Sequence, residues 1–175
     1  MLITTKEVTK KFLSSKDIAW VDYMDAYTCT FQSQRPLAVE DMVLAFSKSS
    51  TMLGRVMMCL RNLLVKPFDL KSVIGDVKKA TSLQRGEKIG LFKIINVAEN
   101  EIVAGEEDKH LDYWVSFYLN CAEGEEDTYQ FTLSTSVLLH NFLGRLYFLP
   151  VKFFHKIIVP VMIRKMILKL KRGWQ

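Results

Sequence analysis

The densest group of side chains that could do chemistry lies between Glu106 and Asp112, a segment with four carboxylates and His110. Carboxylates and imidazoles bind divalent metals and transfer protons near neutral pH. On a strand, however, neighbours on one face such as His110 and Asp112 are roughly 6.5 Å apart. A metal needs all its donor atoms within about 2–2.5 Å. The spacing therefore favours hydrogen bonding within the segment, and we expect no metal site there.

Further polar side chains lie where the last predicted strand gives way to a helix. His140 and Asn141 suit the capping of that helix and the fixing of its corner. Arg145 is expected to pair with a carboxylate such as Asp112, or to bind the carboxylate of a ligand. His155, further along, is expected to pack. Whether the chain is an enzyme stays open; its catalytic candidates are His110, Asp112 and Arg145.

Several common enzyme and cofactor signatures are missing from the sequence. No G-x-G-x-x-G turn follows a predicted strand, and no P-loop, nucleophile elbow or zinc signature occurs. Cys29, Cys59 and Cys121 are odd in number and far apart, which favours free thiols over disulfides. We therefore expect no bound cofactor and no zinc.

Four successive segments alternate apolar and polar residues, as strands with one buried face do. They lie near 90–98, 101–106, 110–121 and 129–140. The first two form a hairpin that turns near Asn100. The short turns between all four predict an antiparallel meander with one buried face and one solvated face.

The rest of the chain before the tail divides into one predicted strand and two predicted helices. Residues 20–31 are rich in aromatic and other strand-favouring residues. A short helix is predicted over 37–46, after a proline, and a longer one over 52–64, where apolar residues recur at spacings of three and four. Residues 67–86 show no regular period.

The tail from residue 141 to residue 172 is a long helix with two adjacent apolar rows. Pro160 lies inside it and is expected to kink or break it. The order of elements predicts one α+β domain over residues 1–175, in which an antiparallel sheet curls around this C-terminal helix. A cavity between sheet and helix would be lined by Tyr113, Phe117, Tyr129, Phe131, Leu133, Thr135, Phe153 and Ile157.

The charge of the chain is unevenly distributed. The net charge is +5, yet the last acidic residue is Asp127, and eight basic residues lie between Arg145 and Arg172. Residues 161–172 interleave apolar and basic side chains, which is typical either of a peripheral helix on an anionic membrane or of a core helix with solvated lysines. Acidic turns and the absence of a recognition motif argue against nucleic-acid binding.

The same composition bears on localisation. No run of about 18 uncharged apolar residues occurs, so a transmembrane helix is not expected. The first residues lack the apolar stretch of a signal peptide. A cytoplasmic location is therefore expected.

Four stretches resemble one bacterial family. These are DYMDAY (22–27), KPFDLK (66–71), GEEDKHLDYWVSF (105–117) and HNFLGRLYFLPVKFFHKIIVP (140–160). Together they are similar to the family called domain of unknown function 2867. The resemblance implies a relation to the START-like, birch-pollen-allergen-like superfamily of helix-grip proteins, which commonly hold lipids or other hydrophobic molecules. It implies no established activity.

Three hypotheses of function follow. The first is a module that binds a hydrophobic small molecule or lipid between the sheet and the last helix. The second is a cyclase-like or isomerase-like enzyme that uses the same pocket. The third is a membrane-binding or partner-binding protein that acts through the basic C-terminal helix, residues 161–175. The oligomeric state and the identity of a ligand stay open.

Overall fold

An antiparallel sheet and a long helix dominate the computed structural model, which describes residues 3–5, 20–49, 83–89, 92–122 and 127–171. The fold is α+β, as the sequence predicts. Within these ranges the strands are β1 (Ile3–Thr5), β2 (Tyr23–Gln32), β3 (Lys88–Ile89), β4 (Phe92–Val97), β5 (Glu101–Glu107), β6 (Leu111–Cys121) and β7 (Thr128–Leu139). The helices are α1 (Val39–Ser47) and α2 (Phe142–Lys171).

All seven strands form one sheet in the order β1-β2-β7-β6-β5-β4-β3, and each pair is antiparallel. The predicted four-strand meander is confirmed as β4 to β7. The predicted first strand is confirmed as β2, which pairs with β7 from Tyr23 opposite Val137 to Gln32 opposite Thr128. The predicted helix at 52–64 and residues 67–82 of the segment without a period lie outside the described residues.

Helix α1 begins where its sequence offers a cap. The Asp41 carboxylate accepts a hydrogen bond from the Ala38 backbone N–H at 3.1 Å, which satisfies one of the free donors at the helix start. Met42, Val43 and Phe46 point into the core. The Phe46 ring meets Phe117 of β6 edge to face, with ring centroids 5.4 Å apart. Helix α1 therefore packs against the face of the sheet that carries the odd-numbered residues of β6.

The opposite face of the sheet is not simply solvated, and the prediction of one solvated face is wrong in the middle of β6. Trp114 and Ser116 on this face are both buried. The Ser116 hydroxyl donates to the buried Glu101 carboxylate at 2.5 Å. Because polar groups in a sheet can bond to one another, a polar residue in the alternating pattern does not have to face water.

Helix α2 runs without interruption through Pro150 and Pro160. The prediction that the helix breaks at Pro160 is therefore wrong. Pro160 cannot donate to the Lys156 carbonyl, but Lys156 is exposed and water can satisfy that group. Toward its end the helix buries one face in the same core as Phe46 and Phe117. That face consists of Val159, Ile163, Met166, Ile167 and Leu170.

This packing predicts different effects for two aliphatic residues on the same helix. Ile163→Ala should lower the free energy of unfolding by about 2–5 kcal/mol, because it leaves a cavity in the core. Leu168→Ala, at a half-exposed position, should change it by about 0.5 kcal/mol or less. Denaturant unfolding followed by circular dichroism measures both. Equal effects would contradict the burial of Ile163.

Candidate functional site

A buried carboxylate on β2 is the centre of the candidate site. Tyr23, Asp25 and Tyr27 alternate onto the face of the sheet that meets α2, because side chains two residues apart on a strand share a face. The Asp25 Oδ2 atom accepts hydrogen bonds from the Tyr23 hydroxyl at 2.5 Å and the Tyr27 hydroxyl at 3.2 Å. The Asp25 side chain is 9% exposed. Two tyrosines therefore bind one buried carboxylate oxygen.

Helix α2 supplies the third donor. Nδ1 of His155 lies 3.0 Å from Asp25 Oδ2, and Nε2 lies 3.4 Å from the Thr135 hydroxyl oxygen. Thr135 stands directly opposite Asp25 in the β2–β7 pair. When the imidazole is neutral and Nδ1 donates to Asp25, Nε2 can accept the Thr135 hydroxyl proton. The His155 side chain is 21% exposed, so a small molecule can reach the ring.

The electrostatics keep the Asp25 carboxylate ionised and the Tyr23 and Tyr27 hydroxyls protonated. Burial alone raises the pKa of Asp25, but the bonds from His155, Tyr23 and Tyr27 and the charge of His155 outweigh burial, so the pKa is lowered. Burial and the neighbouring Asp25 carboxylate raise the pKa of Tyr23 and of Tyr27. Both phenols therefore remain donors to the carboxylate at neutral pH.

One atom of the cluster has no partner. The Oδ1 atom of Asp25 is buried and accepts no hydrogen bond from the described part of the chain. Carboxylate oxygens rarely stay unbonded in protein interiors, because losing water without a replacement bond costs free energy. Oδ1 is therefore an acceptor for which the described residues supply no donor.

The surroundings of the cluster are apolar and aromatic. The Tyr23 ring meets the Phe148 ring at 5.0 Å and an interplanar angle of 64°, and both pack with Val137. Lys152 places its ammonium 5.3 Å from the centre of the Tyr23 ring. Around these lie Leu111, Tyr113, Leu139 and Val151. A carboxylate and an imidazole in such a setting can bind the polar end of an apolar molecule or transfer a proton.

The predicted catalytic residues lie elsewhere. His110 bonds to the Asn141 amide, with 3.0 Å between Nδ1 and the amide nitrogen. Asp112 pairs with His140 at 3.1 Å, and no ion pair between Asp112 and Arg145 occurs among the described residues. Arg145 is exposed and forms no side-chain ion pair within the described ranges. Neither His110, Asp112 nor Arg145 contacts the Asp25 cluster among the described bonds.

His110 and Asp112 instead bond to Asn141 and His140, at the corner where β7 leads into α2. The Asn141 side chain accepts a bond from the Gly144 N–H at 3.0 Å, which caps the helix, and donates to the Lys109 carbonyl at 3.1 Å. A side chain at Gly144 would overlap the His110 carbonyl oxygen. The corner is therefore a close backbone contact, and the predicted capping of the helix is confirmed for Asn141.

The predicted cavity-lining residues divide into three groups. Phe117, Phe131 and Leu133 are fully buried in the core with Phe46. Tyr113 and Tyr129 pack at its margin, and Thr135 alone joins the Asp25 cluster. Phe153 and Ile157 are exposed by 65% and 46%, so placing them between sheet and helix was wrong. The helix turns His155 inward, and positions 153 and 157 therefore point away from the sheet.

Sequence reasoning missed Asp25 and His155 as a pair. Two signals were available. The stretch DYMDAY places an aspartate between two tyrosines at strand spacing, and the stretch ending in F-H-x-x-I-V-P contains His155. His155, expected only to pack, in fact bonds to Asp25.

No group of three or more His, Cys, Asp or Glu side chains that could hold a metal ion occurs among the residues that the structure describes.

A family model described as protein of unknown function (DUF2867) matches residues 18–162, which include both Asp25 and His155. None of the curated proteins compared with the chain matches it.

The lowered pKa of Asp25 predicts a specific pH dependence. Ionised Asp25 stabilises the fold above its unfolded pKa of 3.8, and this contribution is lost as pH falls through the lower folded pKa. The stability difference between wild type and Asp25→Asn should therefore shrink as pH falls below 3.8. Free energies of unfolding from denaturant titrations across that range measure it. Parallel curves for the two proteins would contradict the bonding of ionised Asp25.

Proposed function

The chain belongs to the protein family of unknown function DUF2867, and we propose that it binds a hydrophobic small molecule whose polar group contacts Asp25 and His155. The observation that carries the proposal is the buried, unpartnered Oδ1 atom of Asp25. A ligand hydroxyl, amine or amide N–H would donate to this atom. The ligand would then satisfy the acceptor that the described part of the protein leaves open.

Energetics favour a ligand donor at this position. An unsatisfied buried acceptor costs about 1–3 kcal/mol, and more when it is charged. A ligand that bonds to Oδ1 recovers this free energy, whereas an apolar ligand of the same shape does not. The cluster would therefore select molecules that combine an apolar body with one donor group.

The apolar body would lie against the ring of Tyr23 and its neighbours Phe148 and Val137. Each Å² of apolar surface removed from water contributes about 25 cal/mol before the costs of binding are subtracted. The resemblance of the sequence implies a relation to START-like proteins, which commonly hold lipids or other hydrophobic molecules. A lipid or another hydrophobic metabolite with a hydroxyl or amine group is the proposed ligand class.

A second candidate function is proton transfer to such a ligand, as in a cyclase or an isomerase. The observation that favours it is the orientation of His155. A carboxylate at Nδ1 fixes the ring and leaves Nε2 facing a hydroxyl, which is the arrangement of a general base. A ligand hydroxyl or acidic C–H placed at Nε2 would lose its proton to His155.

Mass spectrometry of the natively purified protein, with a denatured control, tests ligand binding. We expect a hydrophobic molecule with a hydroxyl or amine group to copurify, and its occupancy to fall at least tenfold in Asp25→Asn and in His155→Asn, since losing a hydrogen bond to a charged group costs about 1.5–3 kcal/mol. The matched control is His140→Asn, which breaks the other histidine–aspartate pair of the described residues. Empty wild type, both from its host and after incubation with a hydrophobic library, would refute the proposal.

Proton transfer has its own test. The copurified ligand is incubated with the protein in deuterium oxide, and deuterium incorporated at carbon is measured by mass spectrometry. His155→Gln should abolish the incorporation because it removes the base, and His140→Gln should leave it unchanged. A ligand that binds wild type but takes up no deuterium would leave binding as the function and exclude this kind of proton transfer.

A further inference from the structure

The outward face of α2 carries a continuous row of exposed apolar side chains. Their spacing of three and four residues places them on one side of the helix. Large apolar side chains in a contiguous exposed patch are typical of interaction surfaces. This row, here called the outer stripe, consists of Phe142, Leu146, Leu149, Phe153, Ile157 and Val161, which are between 43% and 74% exposed.

The outer stripe lies opposite the face that the fold uses. His155 and Val159 point toward the sheet, while Phe153 and Ile157 point away from it. Twenty helical residues at about 1.5 Å each make the outer stripe roughly 30 Å long. Its side chains therefore make little contribution to the core, and their exposure needs another explanation.

A row of positive charge runs beside the outer stripe. Arg145, Lys152 and Lys156 are exposed and recur at spacings of seven and four residues, which places them along one flank of the same helix. No acidic residue follows Asp127 in the sequence. An apolar row with basic residues beside it is the pattern of a helix that lies in the interface of an anionic membrane.

We propose that α2 docks on an anionic membrane surface through the outer stripe, with its axis parallel to the surface. The apolar side chains would enter the headgroup boundary, and the basic row would contact lipid phosphates or carboxylates. The proposal places the membrane contact elsewhere on the helix than the hypothesis drawn from the sequence, which used residues 161–175. The face of residues 161–171 that carries Ile163 and Met166 is buried in the core, and the docking surface lies nearer the start of the helix.

Charge also argues against a second copy of the chain as the occupant. In an antiparallel two-fold contact each outer stripe would meet its own equivalent, and the basic rows would approach each other along one side of the contact. Helix α2 has no acidic side chain to pair with them. Like charges brought together in an interface oppose association, whereas anionic lipid attracts them.

The helix is long and apolar enough to cross a membrane, by length and composition alone. Spanning would require the middle of the helix to leave the sheet, which breaks the bond between His155 and Asp25. It would also place Lys152 and Lys156 near the centre of the bilayer, which is costly. Lying on the surface requires neither change.

Sedimentation with lipid vesicles tests the proposal, using the full chain. We expect the protein to pellet with vesicles of phosphatidylcholine and phosphatidylserine and to stay in solution with phosphatidylcholine alone. The double variant Leu149→Gln with Phe153→Gln should weaken partitioning by at least about tenfold, since each loses apolar contact. Arg145→Gln with Lys156→Gln should weaken it roughly 25-fold, at about fivefold for each charge. Lys152 is left intact because it contacts the Tyr23 ring.

Matched controls lie on β4, which two strands separate from β7. Val97→Gln and Lys93→Gln change an exposed apolar and an exposed basic residue there, and both should bind vesicles as wild type does. Failure of wild type to pellet with either vesicle would overturn the proposal. So would a dimer that the Leu149→Gln, Phe153→Gln variant abolishes, or a lowered melting temperature in that variant, which would show that the outer stripe is covered within the chain. Protein that resists extraction by alkaline carbonate would overturn it in favour of a spanning helix.

Discussion

Asp25 keeps its negative charge between a sheet and a helix whose facing side chains are largely apolar. The positions of β2 and α2 depend on this buried charge, because both have to supply it with hydrogen-bond donors. A carboxylate without partners in such a place would be several kcal/mol too unstable, so it has to be given donors. Two come from its own strand, where alternation alone aims Tyr23 and Tyr27 at it. The third, His155, has to come from α2. A displacement of α2 by a single residue would rotate the imidazole by roughly 100° away from the carboxylate, so this bond fixes how the helix lies on the sheet.

Helix α2 is anchored on both sides of His155 by different forces. At its start the Asn141 side chain links the first turn to the backbone at Lys109 through hydrogen bonds, with Gly144 in close contact. Beyond His155, Ile163 and Met166 are buried among apolar side chains of the core. The polar corner determines where the helix begins, and the apolar contact determines which face is inside. Between them, His155 needs no further support to reach Asp25.

Local patterns predicted the elements well, and contacts between distant segments were harder. The meander and the bounds of α2 follow from period and capping, which any short window of sequence displays. Leu149 and Phe153 show the limit: they lie on a predicted apolar row of α2, yet the position of the sheet leaves them exposed and buries Val159 and Ile163 instead. His110 and Asp112 were conspicuous because they are close in sequence, yet in the structure they bond to Asn141 and His140 at the corner. Asp25 and His155 form a site only in the folded chain, so neither stands out in its own segment.

The pairing of β2 with β7 has a consequence for folding during translation. The Asp25–His155 bond spans 130 residues, and the Thr28–Thr132 bond spans 104. A ribosome adds about 5–20 residues per second, so β2 waits on the order of ten seconds before its partner strand and helix exist. During that time its edge and its buried-face tyrosines have no native cover. Contacts of such sequence separation slow folding, and the nascent chain is therefore the state of this protein most exposed to mispairing.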